Sequence, residues 1–236
     1  MSVTARVRRY DWPAIAAALD AQGWACLPRL VTARECVSLR RLYARDGRFR
    51  STVDMARHGF GRGEYRYFAH PLPSLVTALR NALYQPLAAT ARDWAHRLGR
   101  DPEQFPSTLR TFLARCHGAG QRRPTPLLLR YVAGDWNALH QDLYGAVAFP
   151  FQVLTVLSER GTDYEGGEVV LVEQRPRAQS RATAFTLARG DGLIFTNRER
   201  PVRGARGDYR VAMRHGVSVL TRGERTTLGI IFHDAQ

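Results

Sequence analysis

From residue 127 to residue 236 the chain breaks into short apolar runs, each of strand length and each closed by a turn. The runs fall at 127–132, 151–157, 168–172, 182–187, 192–195, 211–220 and 226–232. Gly161, Gly166-Gly167, Gly190-Asp191-Gly192 and the 204–208 stretch stand between them. Runs this short cannot complete the several turns that an isolated amphipathic helix needs, and glycine supplies the positive φ of tight turns. Many short strands in succession, without alternating helices, exclude a βαβ fold and point to a sandwich or jelly roll. No internal repeat is visible.

The first half reads differently. Asp11 can cap a helix through about Gln22, with Ile15, Ala18 and Leu19 on one face and Gly23 closing it. A short strand is expected over 24–30. The Thr32-Ala-Arg-Glu35 spacing is that of a capping box, so a second helix should run from there to about Asp46, with Arg34, Arg41 and Arg45 on a solvated face. Residues 47–73 are rich in glycine and aromatics, and 64–68 alternates as a half-buried strand or a lid. Arg62, Tyr65, Arg66 and Tyr67 are candidates to stack on a base and contact phosphate, or simply to pack under a loop. Helices are expected over 74–98, kinked or divided at Pro86, and over 102–116. The Gly- and Pro-containing stretch 118–126 then marks a boundary. The expected organisation is one integrated domain, mainly β: residues 1–120 form helical support with a lid, and residues 121–236 form the catalytic core.

Composition narrows the class. No run is apolar enough to span a membrane, and Met1 to Arg9 leads into polar Tyr10-Asp11 rather than a signal-peptide core. Three cysteines without metal-type spacing read as reduced thiols of a cytoplasmic protein. The 35 basic residues are all arginine, and the net charge is +14. An arginine-rich coding bias accounts for the choice of arginine over lysine. The excess of positive over negative charge favours a polyanionic partner, nucleic acid first.

The chemistry gathers behind the first core strand. After the break at Gly134-Asp135 the chain presents His140 and Asp142, which share one side of an extended backbone. An imidazole, a carboxylate and a third ligand make the two-His-one-carboxylate face that leaves positions open on non-haem Fe(II). Of the two histidines further on, His233 stands at the extreme end, whereas His215 opens a strand and is the better third ligand. On the last strand Arg225 and Thr227 share a face, so a guanidinium and a hydroxyl can hold one carboxylate together. Tyr131 can add a donor.

The order His140-x-Asp142, Tyr164-Glu-Gly-Gly-Glu168, Gly190-Asp-Gly-Leu-Ile-Phe195, His215 and Arg225 resembles the Fe(II)/2-oxoglutarate-dependent oxygenases. His140-Gln-Asp-Leu-Tyr-Gly145, Arg200-Pro-Val-Arg-Gly204, Arg214-His-Gly-Val-Ser218 and Leu228-Gly-Ile-Ile-Phe-His233 resemble, more closely, a bacterial group of nucleic-acid oxygenases related to the AlkB-type dealkylases, with prolyl-hydroxylase-like features. The resemblance implies a double-stranded β-helix with His140, Asp142 and His215 on Fe(II). It implies 2-oxoglutarate as co-substrate, its distal carboxylate on Arg225, Thr227 and Tyr131, and O2 consumed with release of succinate and CO2, ascorbate being supportive. It implies oxidative demethylation of alkylated nucleic acid. The alternatives are a protein side-chain or small-molecule hydroxylase, and a basic binding module without catalysis.

The arginines of the connection before His215 (Arg198, Arg200, Arg203, Arg206, Arg210 and Arg214) are expected either to track phosphates or to pack against Glu199 and Asp208.

Overall fold

Two antiparallel sheets face each other in the computed structural model, which describes residues 1–142 and 145–236. Leu143 and Tyr144, part of the motif that runs through His140, lie outside the described residues. The major sheet has eight strands in the order β1 (Trp24–Leu27), β11 (Gly192–Thr196), β7 (Phe151–Val156), β14 (Leu220–Ile231), β5 (Leu127–Val132), β4 (Glu64–Phe68) and β2 (Phe49–Asp54), with β8 (Tyr164–Gly166) also pairing β14. The minor sheet has six: β10 (Arg181–Phe185), β9 (Val169–Gln174), β13 (Gly207–Val217), β6 (Trp136–His140) and β3 (Gly61–Arg62), with β12 (Glu199–Gly204) on β13. This is a jelly roll, mainly β, as the turn spacing predicts.

Period-two alternation sorts the major sheet into two environments. On β14, Leu228, Ile230 and Phe232 beyond its end face the helices, whereas Thr227, Gly229 and Ile231 line the space between the sheets. On β7, Phe151 and Val153 join the helix-side core while Gln152 and Leu154 line the interior. The helix-side core is the larger. It packs α2 (Trp12–Gln22), α4 (Ser74–Arg97) and α5 (Leu109–Gly118) on the sheet through Leu83, Tyr84, Trp94, Phe112, Phe149 and Phe232. Rings in this group lie 4.7 to 6.3 Å apart in tilted and edge-on arrangements, which the aromatic quadrupole favours. A cushion of this kind holds the sheet rigid from behind and leaves its other face free to build a site.

Several expectations are refined. Helix α4 runs as one element of 24 residues through Pro86, so the proline does not divide it. The capping box on α3 (Ala33–Leu42) is formed, Thr32 and Glu35 bonding reciprocally, but the helix ends before the expected Asp46. The 47–73 stretch joins the core. β2 and β4 extend the major sheet beside β5, and β3 pairs β6. The arginine-rich connection before His215 is a β12–β13 hairpin, and of its arginines Arg200 is spent inside the protein. Arg200 is buried on Glu173 at 2.6 Å, Asp208 takes Arg97 at 3.2 Å and Arg203 at 3.9 Å, and Glu199 is bonded by Arg100. Arg198, Arg206, Arg210 and Arg214 remain exposed.

Candidate active site

β6 and β13 place the two histidines opposite each other. Their Cα atoms are register partners, and the rings lie 4.1 Å apart. A bulge between His215 and Val217 adjusts the register so that both imidazoles point between the sheets. Asp142 follows two residues after His140. Its Oδ1 lies 3.5 Å from His140 Nε2 and its Oδ2 lies 3.2 Å from His215 Nε2. The three ligand atoms fall within 4.8 Å of one another, a spacing that can surround one cation. His140 Nδ1 sits 2.8 Å from the Ala138 carbonyl. An acceptor there keeps the proton on Nδ1 and leaves the Nε2 lone pair for a metal.

The electrostatics agree with that role. Burial raises the Asp142 carboxyl, but His215 and His140 outweigh it and hold the group well below the usual carboxylate range. Burial also lowers His140, yet the Asp142 carboxylate leaves it raised overall. His215 is lowered, burial winning over Asp142. An ionised carboxylate between two histidines is a negative hole lined with lone pairs.

A second constellation lies on β14 and β5, where Arg225 and Tyr131 are register partners. Tyr131 Oη, Thr227 Oγ1 and the Nε and Nη1 of Arg225 are buried and have no hydrogen-bond partner among the described residues. Burial pushes the Tyr131 phenol up to about 12 against the pull of Arg225. The other fully buried arginines are matched, Arg80 by Asp234 at 2.8 Å and Arg200 by Glu173. Arg225, 1% exposed, has no carboxylate among the described residues. Gly167 keeps this arginine in place. At φ +64 it is in the left-handed region, and a Cβ there would lie 2.7 Å from Leu220 Cδ1 and 3.2 Å from Arg225 Cδ. Unpaired buried donors of this kind cost several kcal/mol unless an anion from outside meets them. The donor set therefore fits a carboxylate, and the triad fits a divalent first-row metal.

A cavity of about 420 Å³ reaches from the triad to Tyr131 and Thr227, lined by His140, Asp142, His215 and these two together with Tyr65 and Tyr67 of β4. Tyr65 and Tyr67, singled out in the sequence, thus face the cavity. Arg66 faces away, bonded to Glu64 at 2.9 Å and Asp46 at 2.7 Å and stacked over Tyr43. Arg62 is exposed and only 4.0 Å from Asp135. His233, the rejected third ligand, lies outside the triad, its Nδ1 accepting the Phe149 N–H at 3.2 Å. Sequence reasoning missed Gln152. Its Nε2 donates to Asp142 Oδ2 at 2.8 Å and lies 3.1 Å from His215 Nε2. An amide residue between Phe151 and Val153 in a mostly apolar strand is the signal that could have found it.

A double-stranded β-helix with two histidines on facing strands, an aspartate just beyond one of them, and a buried arginine with no carboxylate among the described residues is the arrangement that the sequence resemblance implies for the 2-oxoglutarate-Fe(II) oxygenases. Solved structures share that fold. A Trichoplax adhaerens prolyl hydroxylase in complex with a hypoxia-inducible-factor peptide fragment matches 98% of this chain and 91% of its own, at TM-score 0.56 and 14% identity. A Burkholderia pseudomallei oxidoreductase of the 2OG-Fe(II) oxygenase family matches 96% and 93%, at TM-score 0.54 and 18% identity. A Pseudomonas putida prolyl-4-hydroxylase matches 95% and 99%, at TM-score 0.51 and 16% identity.

Residues 63–235 match the sequence profile of a family described as "Oxygenase, catalysing oxidative methylation of damaged DNA", and the chain belongs to that family. It is 48% identical over 203 residues to the uncharacterized protein Rv2227 of Mycobacterium tuberculosis (strain ATCC 25618 / H37Rv), covering 86% of this chain and 84% of that one. The family makes the protein an oxygenase, its fold is the one these 2OG-Fe(II) oxygenase structures share, and its His-Asp-His cluster could hold a metal ion. No helix among the described residues is long and apolar enough to cross a membrane.

Proposed function

We propose that this protein is a dioxygenase that oxidises modified nucleic acid, with His140, Asp142 and His215 holding Fe(II) and with Arg225, Thr227 and Tyr131 holding the distal carboxylate of 2-oxoglutarate. The observation that carries the co-substrate assignment is Arg225, a buried guanidinium with no carboxylate of its own among the described residues, beside two unpaired buried hydroxyls. When bound, the metal and 2-oxoglutarate supply oxygen activation, with succinate and CO2 released and the substrate hydroxylated.

The chain's own residues bind and orient. Ala138 fixes the His140 tautomer, Gln152 holds one oxygen of Asp142, and Arg225 anchors the co-substrate at a set distance from the triad through the rigid β14–β5 pairing. Three side chains, His140, Asp142 and His215, would hold the metal and leave it open to the co-substrate. Leu129, Leu154, Val169 and Phe195 exclude water around the reacting atoms. The part before residue 121 serves as support for the core. The pairing of β2 and β4 with the major sheet, and of β3 with the minor one, supports a single integrated domain.

Two observations support a nucleic-acid substrate: the description of the family, and the net charge of +14 with exposed arginines left over after internal pairing. The test is succinate formed from 2-oxoglutarate with Fe(II) and ascorbate, with and without N-methylated single-stranded DNA. Stimulation by the methylated strand, with formaldehyde released, is the expected result. Turnover indifferent to DNA but stimulated by a peptide or small molecule would transfer the substrate to that class.

A further inference from the structure

Two large apolar side chains stand exposed at the mouth of the catalytic cavity, Phe60 on the loop before β3 and Leu139 next to His140. Single exposed apolar residues are ordinary. Phe60 differs in how firmly it is held. Its N–H donates to the Met55 carbonyl at 3.1 Å, and its own carbonyl accepts the Ala138 N–H at 2.9 Å. Ala138 is the residue whose carbonyl orients His140. Gly61, at φ +121, brings β3 so close to β6 that a Cβ would lie 2.3 Å from the Trp136 carbonyl. The Phe60 ring is further ordered by a near-parallel stack on His58, with centroids 5.4 Å apart and planes 22° apart, yet it remains 46% exposed.

The same loop carries two guanidinium groups with little opposing charge. Arg57 is 82% exposed and meets only half-exposed Asp54 at 3.3 Å; Arg62 is 65% exposed and 4.0 Å from Asp135. The Arg57–Asp54 pair is exposed and weak, and Arg62 reaches buried Asp135 only at 4.0 Å, so both cations stay available to a stronger anion. A rigid aromatic face beside free guanidinium groups is the arrangement that binds a single nucleic-acid strand. Bases stack on the ring irrespective of sequence, and phosphates meet the cations.

We propose that Phe60 is the stacking platform for a nucleobase of the substrate strand at the cavity mouth, with Arg57 and Arg62 taking the flanking phosphates. The assignment rests on the nucleic-acid reading above and selects a strand with unpaired bases, since only those offer a π-face.

The experiment is fluorescence anisotropy of the full-length protein with a labelled single-stranded oligonucleotide carrying one 1-methyladenine, alongside the KM and kcat for that strand. Phe60→Ala is expected to weaken binding about ten- to a hundredfold, the loss of one base stack, and to act on KM more than on kcat. Phe60→Trp should keep the affinity. Phe60→Leu, equally apolar but without a π-face, should lose it. Arg57→Gln and Arg62→Gln should each flatten the log K against log salt slope by about 0.7. Wild-type affinity in Phe60→Leu overturns the platform while the nucleic-acid reading stands. A wild-type protein that ignores the strand and turns over a proline-containing peptide overturns the nucleic-acid reading itself, and the platform with it.

Discussion

Replacing Arg225 with methionine separates the cost of a buried charge from its use. In the free protein the guanidinium is 1% exposed, with Nε and Nη1 unpaired among the described residues. Removing it while nearly conserving volume lifts a desolvation cost, and comparable replacements of buried ionic groups are neutral or stabilising by about 1–4 kcal/mol. With a chain of 236 residues changing by about 2–4 °C per kcal/mol, the ligand-free variant should melt at the wild-type temperature or several degrees higher. The co-substrate complex should respond in the opposite direction. Truncating one partner of a buried charge pair costs about 2–5 kcal/mol, which is roughly thirty- to several-thousand-fold in the dissociation constant of 2-oxoglutarate. The assay is thermal unfolding with Mn(II) in place of Fe(II), titrated with 2-oxoglutarate. The wild type should gain about 2.7 kcal/mol at a hundred times its Kd, and the variant at the same concentration about 0.9 kcal/mol or less. An unchanged affinity for 2-oxoglutarate in Arg225→Met would refute the anchor, and a strongly destabilised ligand-free variant would refute the reasoning about unpaired charge.

Asp142→Ala should abolish metal binding and succinate formation while leaving a cooperative thermal transition; undiminished 2-oxoglutarate decarboxylation by this variant sinks the triad. Gln152→Leu frees one oxygen of Asp142, and loss of such an outer partner should weaken Mn(II) affinity about ten- to a hundredfold, read by titration calorimetry; wild-type affinity would make Gln152 a packing residue only. His233 supplies a pH prediction away from the metal ligands. Burial, with Arg80 adding to it, lowers its pKa to about 4. An unfolded histidine near 6.5 binds protons that the folded one refuses, so this contribution is complete above pH 6.5. It is lost as pH falls from 6.5 toward 4, by about 3 kcal/mol in all. Denaturant unfolding at pH 7 and at pH 4.5 checks it: His233→Asn, which keeps an acceptor for the Phe149 N–H, should lose less stability between the two. An equal loss would place the acid sensitivity elsewhere.

Residues 127–236 declare their architecture locally. Strand-length apolar runs with glycine punctuation permit only a sheet sandwich, and period two already separates Thr227 from Leu228 and Gln152 from Val153. The His140-x-Asp142 spacing and the Arg225-x-Thr227 spacing are equally local, because two residues of extended chain suffice to set side chains on one side. The sequence pattern alone therefore determined a β sandwich or jelly roll and offered the donors as candidates. Tertiary structure alone decided what they meet. It set His215 opposite His140 through a bulged register, left Arg225 without a carboxylate among the described residues while Arg200 found Glu173, and turned Arg66 away from the cavity that Tyr65 and Tyr67 line. It also made the 47–73 stretch a part of both sheets and put the Gln152 amide on Asp142. The reason is physical. Side-chain direction follows from the backbone period of a few residues, whereas charge pairing, burial and register are decided between strands far apart in the chain, where packing selects one partner among many that local pattern allows.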